Sequence, residues 1–111
     1  MKNLVILIGR IGTAPTTRTM RDSSVTDFSL VTTLPKFEDG QVAKDERGYT
    51  KTHDEWHKVT VFGKLGEIVA KHKGKGDLVE IQGRLHYSKY TDANNIERYS
   101  VEIIADEVLF L

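Results

Sequence analysis

A chain of 111 residues is long enough for one domain with its own core and too short for two, so residues 1–111 form a single unit. The absence of cysteine excludes a disulfide framework and thiolate-held zinc, and it suits a reducing compartment. Sixteen basic and sixteen acidic side chains cancel, which excludes the uniformly positive field that many nucleic-acid binders carry.

The charge is nevertheless uneven along the chain. Residues 1–21 hold Lys2, Arg10, Arg18 and Arg21 with no acid, and residues 57–75 hold Lys58, Lys64, Lys71, Lys73 and Lys75 against Glu67 alone. Acids gather near the end, at Glu102, Asp106 and Glu107.

In chain order, residues 4–11 are β-branched and aliphatic and are punctuated by Gly9 and Gly12, which predicts a strand. The apolar run within them breaks at Gly9-Arg10, too early for a secretory signal, and nothing approaches the roughly 20 apolar residues of a membrane span. The expectation is a cytoplasmic protein with no membrane contact. Pro15 with Thr16 and Thr17 predicts a turn. Residues 25–33 alternate, with Phe28, Leu30 and Thr32 on one side and Asp27, Ser29 and Val31 on the other, the pattern of a half-buried strand.

Residues 34–54 carry Pro35, Gly40 and Gly48 among charged residues without a period, which predicts a long loop or hairpin. A strand follows over 55–62. Leu65, Ile68 and Val69 then fall at helical spacing, and Gly74 and Gly76 end a short helix over 64–72. Residues 78–90 read as a long strand, 91–95 as a turn, 96–105 as its return partner, and 108–111 as a last short strand. The fold class is all-β: a five-stranded Greek-key OB-fold barrel with one short helix between strands three and four. The echo between VILIGRI at 5–11 and VEIQGRL at 79–85 is open to duplication, but two strands that each bend at a glycine to close the barrel explain it more simply.

The segment EWHKVTVFGK at 55–64 carries the chemistry. A side-chain period of two puts Trp56, Lys58, Thr60 and Phe62 on one face and His57, Val59 and Val61 on the other. The long strand repeats the arrangement: Val79, Ile81, Leu85 and Tyr87 share one side, and Arg84, His86, Ser88 and Tyr90 share the other, with Lys89 adjacent at the tip. Aromatics interleaved with cations fit an unpaired nucleic-acid strand. Each base offers a flat face whose stacking on an aromatic ring contributes about 1–3 kcal/mol, and phosphates pair with Lys and Arg. A duplex presents only base edges in its grooves, which such a face suits badly.

The run DEWHKVTVFGKL at 54–65 closely resembles the signature of the bacterial and mitochondrial single-stranded DNA-binding (SSB) proteins. Four further segments match in order: residues 3–12, Arg18-Thr19-Met20 after Pro15, Gly74-Lys75-Gly76, and Lys89-Tyr90-Thr91-Asp92 with Arg98-Tyr99. The resemblance spans roughly residues 3 to 105. It implies sequence-nonspecific binding and protection of single-stranded DNA in replication, recombination and repair, with no cofactor and no catalysis. Trp56 and Phe62 match its stacking positions. Tyr90 matches one usually held by Trp, and Phe37 lies close to the remaining aromatic. Lys58, Lys64, Arg84 and Lys89 match basic positions, and Arg10 joins the expected phosphate track. His86 and Ser88 depart from the more basic family pattern, which implies weaker phosphate contact there.

His57 matches a position near a subunit interface, and a family domain of this kind implies a homotetramer. Family members usually continue through a disordered linker to an acidic tip that recruits replication and repair proteins. This sequence stops at Leu111, so recruitment through such a tail is not expected from it.

Two rivals differ in class. A metal enzyme would draw on His53, Asp54, Glu55, His57, His72 and His86, but His53 and His57 on a strand stand about 13 Å apart, too far for one ion. An OB-fold protein-interaction module of the primosomal kind would not need aromatics at all three of positions 56, 62 and 90.

Overall fold

The computed structural model describes residues 1–111. Alternation along the strands becomes a barrel wall whose inward residues meet at the centre. The elements run β1 (Val5–Met20), β2 (Ser23–Pro35), β3 (Phe37–Glu38), β4 (Gln41–Val42), β5 (Thr52–Phe62), α1 (Gly63–His72), β6 (Leu78–Thr91) and β7 (Glu97–Phe110). Five of them close a barrel in the order β1-β2-β5-β7-β6, and β3 with β4 makes a separate two-stranded sheet. This is the OB-fold, with the helix after the third barrel strand.

Closure uses both halves of β1. Its first half pairs antiparallel with β6, Val5 opposite Gly83 through Arg10 opposite Leu78. Its second half pairs with β2, Arg10 opposite Val31 through Met20 opposite Ser23. The last seam is short: β5 and β7 run parallel and pair only at Val59–Ile103, Thr60–Ile104 and Val61–Ala105. Ile11, Phe28, Leu30, Val59, Val61, Val79, Ile81, Ile103 and Ala105 fill the interior, and Val69 of α1 joins them. Burying each larger aliphatic contributes about 1.5–3 kcal/mol, so this cluster is the main stabilising feature of the fold.

The glycine echo has a steric cause. A Cβ at Gly9 would meet the carbonyl of Val31, and one at Gly83 would run into the backbone of Ile104 and Ala105. At Gly83 the β6–β7 register also slips by a bulge, which leaves Asp106 unpaired.

Three sequence expectations need correction. Pro15 does not end the first strand: irregularities between Ile11 and Thr16 absorb the missing N–H, and the chain turns at Arg21-Asp22, where Arg21 has φ +53°. The loop over 34–54 is narrower and more ordered, because β2 reaches Pro35, β5 starts at Thr52, and β3–β4 with a Lys44–Thr50 bridge lies between. The two final segments are one strand, β7, bent rather than broken at the bulge.

Candidate nucleic-acid interface

Strand β5 separates its two faces sharply. Val59 and Val61 are fully buried in the barrel, whereas Trp56 is 62 % exposed and Phe62 52 % exposed on the outside. Lys58 stands between them, also exposed. The alternation read from the sequence is therefore the actual division between core and surface, with one exception. Thr60 shares the outer face and is nonetheless buried, because its hydroxyl lies between the carboxylates of Asp27 (3.0 Å) and Glu102 (2.5 Å).

The indole of Trp56 rests across the neighbouring strands. Trp56 lies opposite Val31 of β2, and Val31 lies opposite Arg10 of β1. The six-membered ring covers Gly12, so a Cβ there would collide with ring atoms Cζ3 and Cη2 and with Val31 Cγ2. Glycine at 12 thus leaves the space that the indole's six-membered ring occupies, while most of the ring stays exposed. Arg10 is exposed at the end of this row, and its Nη1 donates to the Gly76 carbonyl at 3.1 Å.

Strands β6 and β7 leave the barrel as a long hairpin and bring a second set of side chains onto the same outer face. Cross-strand pairs set Arg84 opposite Ile104, His86 opposite Glu102, Ser88 opposite Ser100 and Tyr90 opposite Arg98. Thr60 also pairs with Ile104, so β5, β7 and β6 share one continuous surface. Tyr90 is 52 % exposed. The hairpin end is held by Asp92: Oδ1 accepts from the N–H groups of Asn94 and Ile96, and Oδ2 accepts from Arg98 Nε at 2.9 Å. The Ile96 hydrogen bond first, then Arg98, hold its carboxyl below the ordinary value of 3.8.

Not every expected residue joins this surface. Lys89 has the opposite parity from Tyr90. It sits on the reverse of the hairpin, 2.6 Å from Glu97 and over the ring of Tyr99. Tyr87 likewise does not reach the core; it is exposed on that reverse side, where the hairpin has left the barrel. Phe37 is exposed on β3, opposite Val42, in the small sheet outside the barrel. Lys64 is exposed in the first turn of α1, just beyond Phe62. His57 is half-buried on the inner side and shares a hydrogen bond with Thr32 Oγ1 at 2.9 Å. No group of three or more His, Asp or Glu side chains is arranged to hold a metal ion, and no helix is long and apolar enough to cross a membrane.

Comparison with known proteins agrees with this geometry. The family model described as "Single-strand binding protein family" matches residues 2–111. The chain belongs to the single-strand binding protein family. It is 40 % identical over 110 residues to the single-stranded DNA-binding protein of Xanthomonas campestris, covering 98 % of this chain and 60 % of that protein. Identity to the corresponding Xylella fastidiosa protein is 41 %, covering 98 % of this chain and 63 % of the relative. The chain thus spans about 60 % of the length of these curated relatives. Among solved structures, the Plasmodium falciparum SSB complex with ssDNA superposes with a TM-score of 0.83 at 26 % identity, over 100 % of this chain and 96 % of that one.

Within the family fold, the outer face holds residues that sequence reasoning did not single out. Gly12 appeared as a strand terminator, Asp27 as a solvent-facing strand residue, and Glu102 as part of an acidic chain end. Asp27 in fact pairs with Arg18 Nε at 3.5 Å, and Glu102 lies 4.0 Å from Lys58 Nζ. These ion pairs are partly exposed and contribute little to stability, but they put two carboxylates among the cations of this outer face. Glu102 was out of reach of counting: the turn read over 91–95 sets residue 86 opposite 100, whereas pairing resumes only at Thr91–Glu97 and sets residue 86 opposite 102.

Proposed function

We propose that this chain binds single-stranded DNA with little dependence on sequence and shields it during replication, recombination and repair. Bases stack on Trp56, Phe62 and Tyr90, and Phe37 adds a further ring from the loop. Phosphates follow Lys58, Lys64, Arg84 and Arg10, with a weaker contribution from His86, while Lys89, paired to Glu97 on the reverse of the hairpin, stands outside this track. The observation that carries this reading is the open indole of Trp56 beside exposed Lys58, on the outward face of a strand whose inward residues are fully buried. Large rings left in water next to cations add nothing to the core, while they match an unpaired strand's flat bases and charged backbone.

The working unit is a homotetramer at the nucleoid. Ile6 and Ile8 support this: both are exposed on the first half of β1, whose only barrel neighbour over that stretch is β6, and Leu4 just before the strand is exposed too. His57 then lies near a subunit contact. Replication and repair proteins are the expected company of the bound strand.

Trp56 is the single tryptophan, so its fluorescence reports binding directly. Oligo(dT) added at low salt quenches the emission, and the affinity falls with salt at a log–log slope of about −0.7 per phosphate neutralised. An unquenched titration at low salt refutes the proposal, and a flat salt response refutes its phosphate contacts. Light scattering reports the oligomer; a monomer mass at micromolar concentration removes the tetramer.

A further inference from the structure

Glu102 is unusual in its position. Past the short β5–β7 seam the two strands separate, and the gap forms a cleft of about 100 Å3 lined by Trp56, Lys58 and His57 on one side and Glu102, Val101 and Leu85 on the other. One carboxylate thus stands beside the exposed Trp56 ring, within a face otherwise supplied with cations.

Its oxygens are not equally occupied. Oε2 receives the Thr60 hydroxyl at 2.5 Å and faces Lys58 Nζ at 4.0 Å. Thr60 has a single proton, and Asp27 Oδ1 competes for it at 3.0 Å. Oε1 accepts no hydrogen bond from the chain, yet it is not a buried orphan. The group opposite it across the hairpin is His86. A carboxylate with spare acceptor capacity beside an exposed ring can take a donor from a ligand in place of water.

We propose that Glu102 is a base-reading residue. Its carboxylate accepts a hydrogen bond from the exocyclic amine of a base stacked on Trp56 and turns phosphate away from the middle of the face. The inference rests on the single-stranded DNA reading above and adds a modest base preference to it. Carboxylates accept from the cytosine N4 amine, whereas thymine presents a carbonyl oxygen at the same place and meets a like partial charge. Inside the cleft Glu102 offsets the charge of Lys58, 4.0 Å away, so a phosphate is held on the open side of Lys58 and along the other cations, and the bases face inward.

The test compares oligo(dC) and oligo(dT) of equal length, titrated at low salt against the wild type, Glu102→Gln and Glu102→Asp, with circular dichroism melts to verify folding. The readout is the dC/dT affinity ratio of each variant divided by that of the wild type, in which the strands' own stacking cancels. Glu102→Gln binds oligo(dT) more tightly, because a like charge is gone, and its relative ratio falls about fivefold or more, the low end for one good base contact. Glu102→Asp keeps the charge but withdraws the acceptor, so the ratio falls without a gain for oligo(dT); it also serves if the glutamine variant does not fold. Quenching by both strands with ratios equal to wild type overturns the role of Glu102 alone. A wild type that responds to neither strand overturns the DNA-binding reading itself, and this inference with it.

Discussion

Gly12→Ala tests whether the indole is held in place by a missing side chain. The added methyl would lie inside contact distance of the Trp56 ring and 2.7 Å from Val31 Cγ2, and both obstacles are side-chain atoms. Trp56 is mostly exposed, so the ring can swing outward at small cost to the fold. Gly12 does not have a positive φ, so alanine also lowers the entropy of the unfolded chain by about 0.4–1 kcal/mol, and net stability changes by roughly 1 kcal/mol or less in either direction. Binding responds more strongly. Loss of one base–aromatic stack is worth about 1–3 kcal/mol, or about five- to 150-fold in affinity, and this sets the effect of Trp56→Ala. Gly12→Ala retains the ring but tilts its platform, so its loss lies between threefold and that ceiling. The assay is Trp56 emission with an oligo(dT) titration, run beside a thermal melt. A variant with wild-type emission and wild-type affinity refutes the idea that Gly12 positions the indole. One that loses several kcal/mol of stability shows instead that the contact is structural.

Gly83→Ala should destabilise by about 2 kcal/mol or more, because the obstacles there are the backbone of Ile104 and Ala105, which cannot swing aside; chemical denaturation measures it, and a wild-type midpoint removes the steric account of barrel closure. The hairpin end should loosen in acid. Asp92 titrates below 3.8 when folded, so its ordering contribution is complete above that value and is lost as pH falls through the lowered one. Amide exchange or chemical shifts of Asn94 and Ile96 follow this, and Asp92→Asn, which weakens the bond to Arg98, should abolish most of the pH dependence.

Much of the architecture was legible because strand geometry is local. A period of two assigns Trp56, Lys58 and Phe62 to one face and Val59 and Val61 to the other without knowledge of any partner strand. The helix and the order of strands around it follow from equally short-range patterns. Pro15 misled because a proline is tolerated inside a strand where the ladder is already irregular, and that irregularity depends on how β2 lies alongside. Tyr87 misled because parity alone does not say where a hairpin leaves the barrel.

The sequence by itself determined the fold class, the side on which Trp56, Phe62 and Tyr90 emerge, and membership of a family whose motifs are short and contiguous. Only the tertiary structure decided that Gly12 lies under the indole of Trp56, that Glu102 stands in the cleft beside it, and that Lys89 turns to the reverse of the hairpin. These placements depend on the register of strands far apart in the chain, and on the divergence of β5 and β7 beyond their short seam. Alternation is a property of one strand, while neighbourhood across a closed barrel is a property of all five.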